Sequence, residues 1–255
     1  MHGADVYPRG SWLELTNLHA ILLDVEGTTT PVEFVHQVLF PYARARVREY
    51  LEAHATEPGV IADIASLRSE HAAESPKQTG LPTWDSSSEL QSAEAYVYWL
   101  MDRDRKSTGL KSLQGRIWDE GYHGGDLKGK AEVYADIRPA FVRWRRNGLL
   151  IAIFSSGSVQ AQRNLFANTT AGDLSPFLYD YFDTKTGSKR EPQSYRRIAA
   201  AMHQTPSDVL FVSDVVEELD AAREAGLRTA FCVRGTDAPV ETHRHARIRS
   251  FDELA

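Results

Sequence analysis

Cysteine is almost missing from this chain. Cys232 is the only one in 255 residues, so no internal disulfide can form. It lies in Thr229-Ala230-Phe231-Cys232-Val233, an apolar stretch that reads as a buried strand, where a thiol is packed and inert. No apolar run approaches the length of a membrane span, and no signal-peptide pattern opens the chain, so a cytoplasmic enzyme is the expectation. Positive charge is also in deficit. A net charge of -6 gives no general attraction to nucleic acid or to an anionic membrane, so neither is expected as a partner. An anionic substrate would have to be held by local cations. Neither G-x-G-x-x-G nor G-x-x-x-x-G-K follows the first strand, which speaks against a nucleotide-binding module. There is no internal repeat and no low-complexity tract. What remains is a soluble globular composition, long enough for one large domain or for a core with an insert.

Two kinds of pattern divide the chain. The first strand runs from about His19 to Asp24. From Glu33 to Ala55 the apolar residues Val35, Leu39, Tyr42, Val47, Tyr50 and Leu51 keep one helical face, with Pro41 kinking or dividing the helix. Further helices are expected over Val60–Ala73, Glu89–Arg103 and Leu110–Tyr122. Residues 75–88, with Pro, Gly and a serine run, read as a mobile loop. Asp102 to Lys106 reads as a solvated helix end. Near Asp136 the character changes. A helix over Arg138–Asn147 stops at Gly148. Leu149–Phe154 is a continuous apolar run suited to a strand covered on both faces. Val209–Ser213 is a third strand, Val216–Ala225 a helix stopped by Gly226, and Arg228–Val233 a fourth strand. Such alternation predicts an α/β fold with a parallel sheet. Residues 1–32 and 136–255 would form its core, and 33–135 an all-helical insert.

Sites in open α/β sheets form at the carboxyl ends of strands. Here the first strand ends in Asp24 and Glu26, the second in Ser155-Ser156-Gly157-Ser158, and the third in Ser213-Asp214, with Glu217 and Glu218 close behind. Gly187-Ser188-Lys189-Arg190-Glu191-Pro192 leads into a helix before the third. An ionised carboxylate at a strand end is costly without a cation or a hydrogen-bonded partner. Asp24 and Asp214 are hard oxygen donors that suit Mg²⁺, and no cysteine or histidine pair offers zinc a site. Ser155 and Ser156 can hold phosphate oxygens at a helix N-terminus, and Lys189 can set a point charge against phosphate or nucleophile. An aspartate nucleophile divides phosphoryl transfer into two steps, with Glu26 moving the proton. Each residue taken singly has a plainer role: Ser155 as an N-cap, Lys189 as a solvated lysine, Asp214 as a cap of the next helix, and Glu217 and Glu218 as first-turn acids favoured by the helix dipole. His243 and His245 read as a surface turn. It is the order of the four groups at successive strand ends that favours chemistry.

Asp24-Val25-Glu26-Gly27-Thr28 resembles the first motif of the haloacid dehalogenase-like phosphatases, Ser155 their second, Lys189 their third and Asp214 their fourth. The helical insert resembles their C1-type cap. The expected fold is therefore α/β, a Rossmann-like parallel sheet core of the haloacid dehalogenase type with a helical C1-type cap inserted after the first strand. Glu26 stands where those enzymes usually carry a second aspartate. The longer run from Asp24 to Phe34, together with Phe154–Gln162, Phe182–Lys189 and Phe211–Val215, resembles the enolase-phosphatase E1 family of methionine salvage, over residues 19 to 235.

That resemblance implies a reaction and a set of roles. The substrate would be 2,3-diketo-5-methylthiopentyl 1-phosphate, enolised and then dephosphorylated to an acireductone. Asp24 would be nucleophile and Mg²⁺ ligand, Glu26 a ligand through its backbone carbonyl, and Asp214 the third protein ligand of one Mg²⁺ per subunit. Ser155, Ser156 and Lys189 would bind substrate. The side chain of Glu26, one methylene longer than aspartate, would serve both half-reactions, and the enzyme would act as a monomer. Phe34, Trp84, Tyr96, Trp99, Trp118 and Tyr122 are the aromatic candidates for the methylthio end. Most of them are expected to pack the insert's core, and Glu33 and Phe34, next to the first motif, carry more weight by position. Competing readings are a phosphatase for another small metabolite without enolisation, a phospho-acceptor signalling domain, which needs no large insert, and a metal-independent dehalogenase, which needs neither Glu26 nor Asp214.

Overall fold

The computed structural model describes residues 16–74, 78–235 and 244–254. They fall into two compact units, the described residues within 1–34 and 129–255, and those within 35–128.

The first unit is built on a six-stranded sheet: β1 (Ala20–Leu23), β2 (Leu150–Phe154), β3 (Asp180–Phe182), β4 (Val209–Ser213), β5 (Arg228–Cys232) and β6 (Ala246–Ile248). The order is β3-β2-β1-β4-β5-β6, and every pairing is parallel. β1 and β4 are buried at every position, and β2 at all but its first. This is what continuous apolar runs require when helices cover both faces. The helices Ile137–Arg146, Val159–Ala167, Pro192–Ala201 and Val216–Glu224 supply that cover. On one face Leu22, Phe154, Phe211, Tyr195, Ile198 and Leu219 pack into a single cluster. Gly148, at φ +79°, takes the left-handed turn that ends the first of these helices.

The sequence predicts four strands, and the structure adds two. β3 and β6 have three residues each, too few to show a period. The expected helix over Glu33–Ala55 is also divided. One α-turn, Val32–Phe34, passes into wider π-type turns over Val35–Leu39, and a regular helix follows over Phe40–Ala53 with Pro41 in its first turn. Proline has no N–H to donate to the preceding turn, and the chain widens into π-type turns just before it.

The second unit interrupts the first between β1 and β2. Its helices are Phe40–Ala53, Pro58–Ala73, Glu89–Met101 and Thr108–Gly124. Val47, Leu51, Leu67, Tyr96, Trp99 and Ile117 lie in its core, with Trp84 and Trp118 packed against it. Tyr122 is buried as well. Arg116 pairs with the buried Asp63 at 2.8 Å. The sequence suggests a mobile loop over residues 75–88. Residues 75–77 lie outside the described residues, and the rest is tied down: Arg103 donates to the Thr79 carbonyl at 2.8 Å, and the His71 ring meets the Pro82 carbonyl at 2.7 Å. No helix among the described residues is long and apolar enough to cross a membrane.

Candidate active site

Strand register builds the site. Leu23 is opposite Ile153 on one side and Val212 on the other. Asp24 therefore emerges between the ends of β2 and β4, where the strand order reverses and open α/β sheets form their crevice. Its N–H still donates to the Val212 carbonyl at 3.0 Å. Beyond it the chain coils into a compact loop. The N–H groups of Thr28, Thr29 and Thr30 all donate to the Val25 carbonyl, and Thr29 Oγ1 bonds the carbonyls of Asp24 and Val25. Gly27 has φ +70°, and a Cβ added there would collide with the Asp214 carboxylate. Only glycine allows both the turn and this approach.

Asp24 is 5% exposed. Its Oδ1 accepts from Lys189 Nζ at 2.6 Å and from the Val25 N–H at 2.7 Å. Lys189, also buried, meets Glu218 Oε2 at 2.6 Å. Ser213 Oγ lies 3.0 Å from Asp24 Oδ2 and 3.2 Å from Glu218 Oε2, so its one hydroxyl proton serves either carboxylate. Burial pulls the Lys189 ammonium down, but the charges of Asp24 and Glu218 outweigh it and leave it above the ordinary lysine range. Burial pushes the Glu218 carboxyl up, and the charge of Asp24 adds to the effect. The lysine is thus a fixed cation between two acids.

Asp214 follows β4. Burial, and next the charge of Asp24, push its carboxyl up to about 6, with Glu26 adding to the shift. Crowded acids of this kind favour a divalent cation, and the donors are hard oxygens, which fits Mg²⁺. Among the described residues no group of three or more His, Cys, Asp or Glu side chains could hold a metal. Two carboxylates completed by a backbone carbonyl, as the Glu26 position would supply, meet that limit.

Lys189 Nζ stands 5.9 Å from the Phe154 ring, the last residue of β2. Ser155 and Ser156 come next in the chain. Ser155 is buried, and its Oγ accepts from the Gly157 N–H at 3.1 Å. Ser156 is exposed. Gln162 fastens this turn by donating to the carbonyls of Gly157 and Phe182. Ser155 does not cap the following helix. Ser158 does, accepting from the Ala161 N–H at 3.2 Å. Nor does Asp214 cap the helix after β4, where Ser213 Oγ takes the Val215 N–H at 3.1 Å. Glu218 is no mere first-turn acid, since the fold turns it onto Lys189. The sequence signal for it was its place five residues beyond Ser213, which the helix dipole explained equally well. His245 is not in a surface turn. It is buried, bonded to Thr229 Oγ1 at 2.7 Å and 3.2 Å from Asp220. His243 lies outside the described residues.

A cavity of about 610 Å³ opens beside Asp214, lined also by Gly27, Glu33, Tyr134, Glu217 and Arg234 among others.

The haloacid dehalogenase-like hydrolase family model matches residues 18–226. Enolase-phosphatase E1 of Synechococcus elongatus is 53% identical over 238 residues, covering 93% of this chain and 98% of the relative. This chain belongs to the enolase-phosphatase E1 family of haloacid dehalogenase-like hydrolases. A second E1 relative, from Sorangium cellulosum, is 46% identical, covering 92% of this chain and 97% of its own. Among solved structures, the UTR4 protein of Saccharomyces cerevisiae is similar with a TM-score of 0.71 and 33% identity, covering 93% of this chain and 100% of that one. The fold is thus the one the strand pattern predicts: a parallel-sheet α/β core with helices, of the haloacid dehalogenase-like type.

Proposed function

We infer that this protein is an enolase-phosphatase that converts 2,3-diketo-5-methylthiopentyl 1-phosphate to 1,2-dihydroxy-3-keto-5-methylthiopentene and phosphate in methionine salvage. Near-full-length identity of 53% to a named enolase-phosphatase E1 supports the activity. The observation in this fold that carries the chemistry is the Asp24 carboxylate, buried at the strand crossover and bound by Lys189 at 2.6 Å.

In this reading Asp24 attacks phosphorus. The bond from phosphorus to the ester oxygen breaks, and an aspartyl phosphate forms. Glu26, exposed at the mouth of the loop, gives the leaving oxygen its proton and then takes one from the water that hydrolyses the acyl phosphate. Lys189 keeps Asp24 ionised and oriented, and Ser155 and Ser156 hold phosphate oxygens. Mg²⁺, one per subunit and held by Asp24, Asp214 and the Glu26 carbonyl, would supply positive charge for the phosphate and enolate oxygens. Before phosphate leaves, a proton must leave carbon. Glu26 is the group we assign to that transfer too.

The test is to give the purified protein the diketone phosphate and Mg²⁺, and to follow ultraviolet absorbance of the enol together with phosphate. An enol signal that precedes phosphate is expected. Phosphate without a preceding enol would leave a plain phosphatase.

A further inference from the structure

We propose that Arg234, two residues beyond β5, is a positioning residue for the loop that carries Asp24 and Glu26. The proposal rests on the enolase-phosphatase reading of that loop. Arg234 Nε donates to the Thr28 carbonyl at 2.9 Å. Nη1 meets Asp136 Oδ2 at 2.6 Å. The two side chains are 8% and 9% exposed. The guanidinium lies 4.4 Å from the Tyr134 ring centre and 4.6 Å from that of Phe251. Asp136 is itself fixed from the far side, since its Oδ2 also accepts from Ser250 Oγ at 3.0 Å and from the Phe251 N–H at 2.6 Å.

These contacts close a circuit around the back of the loop. The Tyr134 N–H donates to the Thr29 carbonyl at 3.2 Å, the residue next to the one Arg234 holds. Two successive loop carbonyls are thus gripped from outside, one by a side chain and one by backbone. Gly27 N–H closes the loop from within on the Thr30 carbonyl at 2.8 Å.

Stability alone explains this arrangement poorly. A buried ion pair repays its desolvation only with full hydrogen bonding, and replacement by apolar residues is often neutral. Here Arg234 Nη2 is buried without a hydrogen-bond partner among the described residues. What the guanidinium supplies, and neither an apolar group nor an ammonium can, is a rigid plane. It clamps between two rings while its edges meet a carbonyl and a carboxylate at fixed angles. A displacement of about 1 Å at a reacting group can cost on the order of 100-fold in rate.

The experiment compares kcat and KM for wild type, Arg234→Lys and the charge-neutral pair Arg234→Met with Asp136→Asn. The second variant removes both charges, so no unpaired acid stays buried if the first variant folds badly. Trp144→Phe, a core change touching Phe141 and Phe251, calibrates simple loss of stability. Both the diketone phosphate and an aryl phosphate are turned over. Expected is a fall in kcat of tenfold or more for both Arg234 variants, with KM within threefold and Trp144→Phe near wild type at matched melting temperature. Values of kcat within twofold of wild type for either Arg234 variant overturn the proposal. So does an equal loss in Trp144→Phe. A wild type that turns over aryl phosphate but not the diketone phosphate overturns the functional reading instead, and the aryl phosphate comparison still judges Arg234.

Discussion

Glu218 meets the Lys189 ammonium at 2.6 Å, the same separation at which Lys189 meets Asp24. One cation is shared between a group that would attack phosphorus and a group that would not. Glu218 thereby draws positive charge away from Asp24, which in the proposed mechanism leaves Asp24 freer to attack. In Glu218→Gln the ammonium turns wholly to Asp24. Phosphate turnover is expected to fall roughly tenfold, about 1.4 kcal/mol in the barrier. The fold should hold, because burial already disfavours the Glu218 charge. Steady-state kinetics beside a thermal melt test this, and unchanged kcat would remove Glu218 from the site.

Asp24→Asn removes the carboxylate we assign as nucleophile but keeps most of the shape. Phosphate release should vanish, while enolisation, which needs no covalent step, keeps a measurable rate. Phosphate release within tenfold of wild type would end the assignment of Asp24.

Glu26→Gln should slow both halves of the reaction, because one carboxylate is assigned the proton at carbon and at oxygen. Each rate is expected to drop on the order of 100-fold, the usual yield of one acid–base group. If the enol absorbance rises at the wild-type rate in this variant, the base for enolisation is another residue.

The Asp214 carboxyl, held up to about 6 by burial and by Asp24, has a pH signature. A carboxyl with a raised folded value binds its proton more tightly in the folded than in the unfolded chain. Its stabilising contribution is complete below the ordinary value of 3.8 and is lost as pH rises through about 6. A divalent cation can stand in for that proton. The melting temperature of metal-free protein should therefore fall from about pH 5 to about pH 7, and Mg²⁺ should raise it more at about pH 7.5 than at about pH 5. Equal shifts at both values would argue against Mg²⁺ beside Asp214.

Burial pushes the Cys232 thiol up to about 12. It should resist a disulfide reagent in the native protein and react promptly in denaturant. Fast labelling of the native chain would mean that β5 opens.

Much of this was legible in the sequence, and the limits have physical causes. β1, β2 and β4 are announced by apolar runs because a strand covered on both faces is built mostly of apolar residues, and β5 by the shorter buried run Ala230-Phe231-Cys232. β3 and β6, three residues each, carry no such signal. Asp24 and Asp214 are legible because a charge at a strand end asks for a partner, and Lys189 because it stands in a loop that leads into a helix beside those strand ends. The partners were harder to see. Glu218 looked like any acid in a first helical turn, and its meeting with Lys189 exists only in three dimensions. Arg234 and Asp136 are 98 residues apart, and no local pattern links an arginine after one strand to an aspartate before a helix. Ser158 rather than Ser155 caps its helix, a choice among near neighbours that only geometry makes.

Asp24 and Ser213 are bonded across 189 residues of chain. At ~5–20 residues per second, a ribosome needs roughly 10–40 s to travel that distance. For that interval the growing chain carries Asp24 at the end of a strand whose neighbour β4 has not been made. β2 can pair first, since Leu150 is opposite Ala20, but the serine and Glu218 that complete the charge cluster come last. A nascent chain stalled before β4 would expose Ile21, Leu22 and Leu23 along one unpaired edge and carry no phosphatase activity. Completion of the Asp24–Lys189–Glu218 charge cluster is thus among the last events of synthesis, although Asp24 itself is among the first residues to be translated.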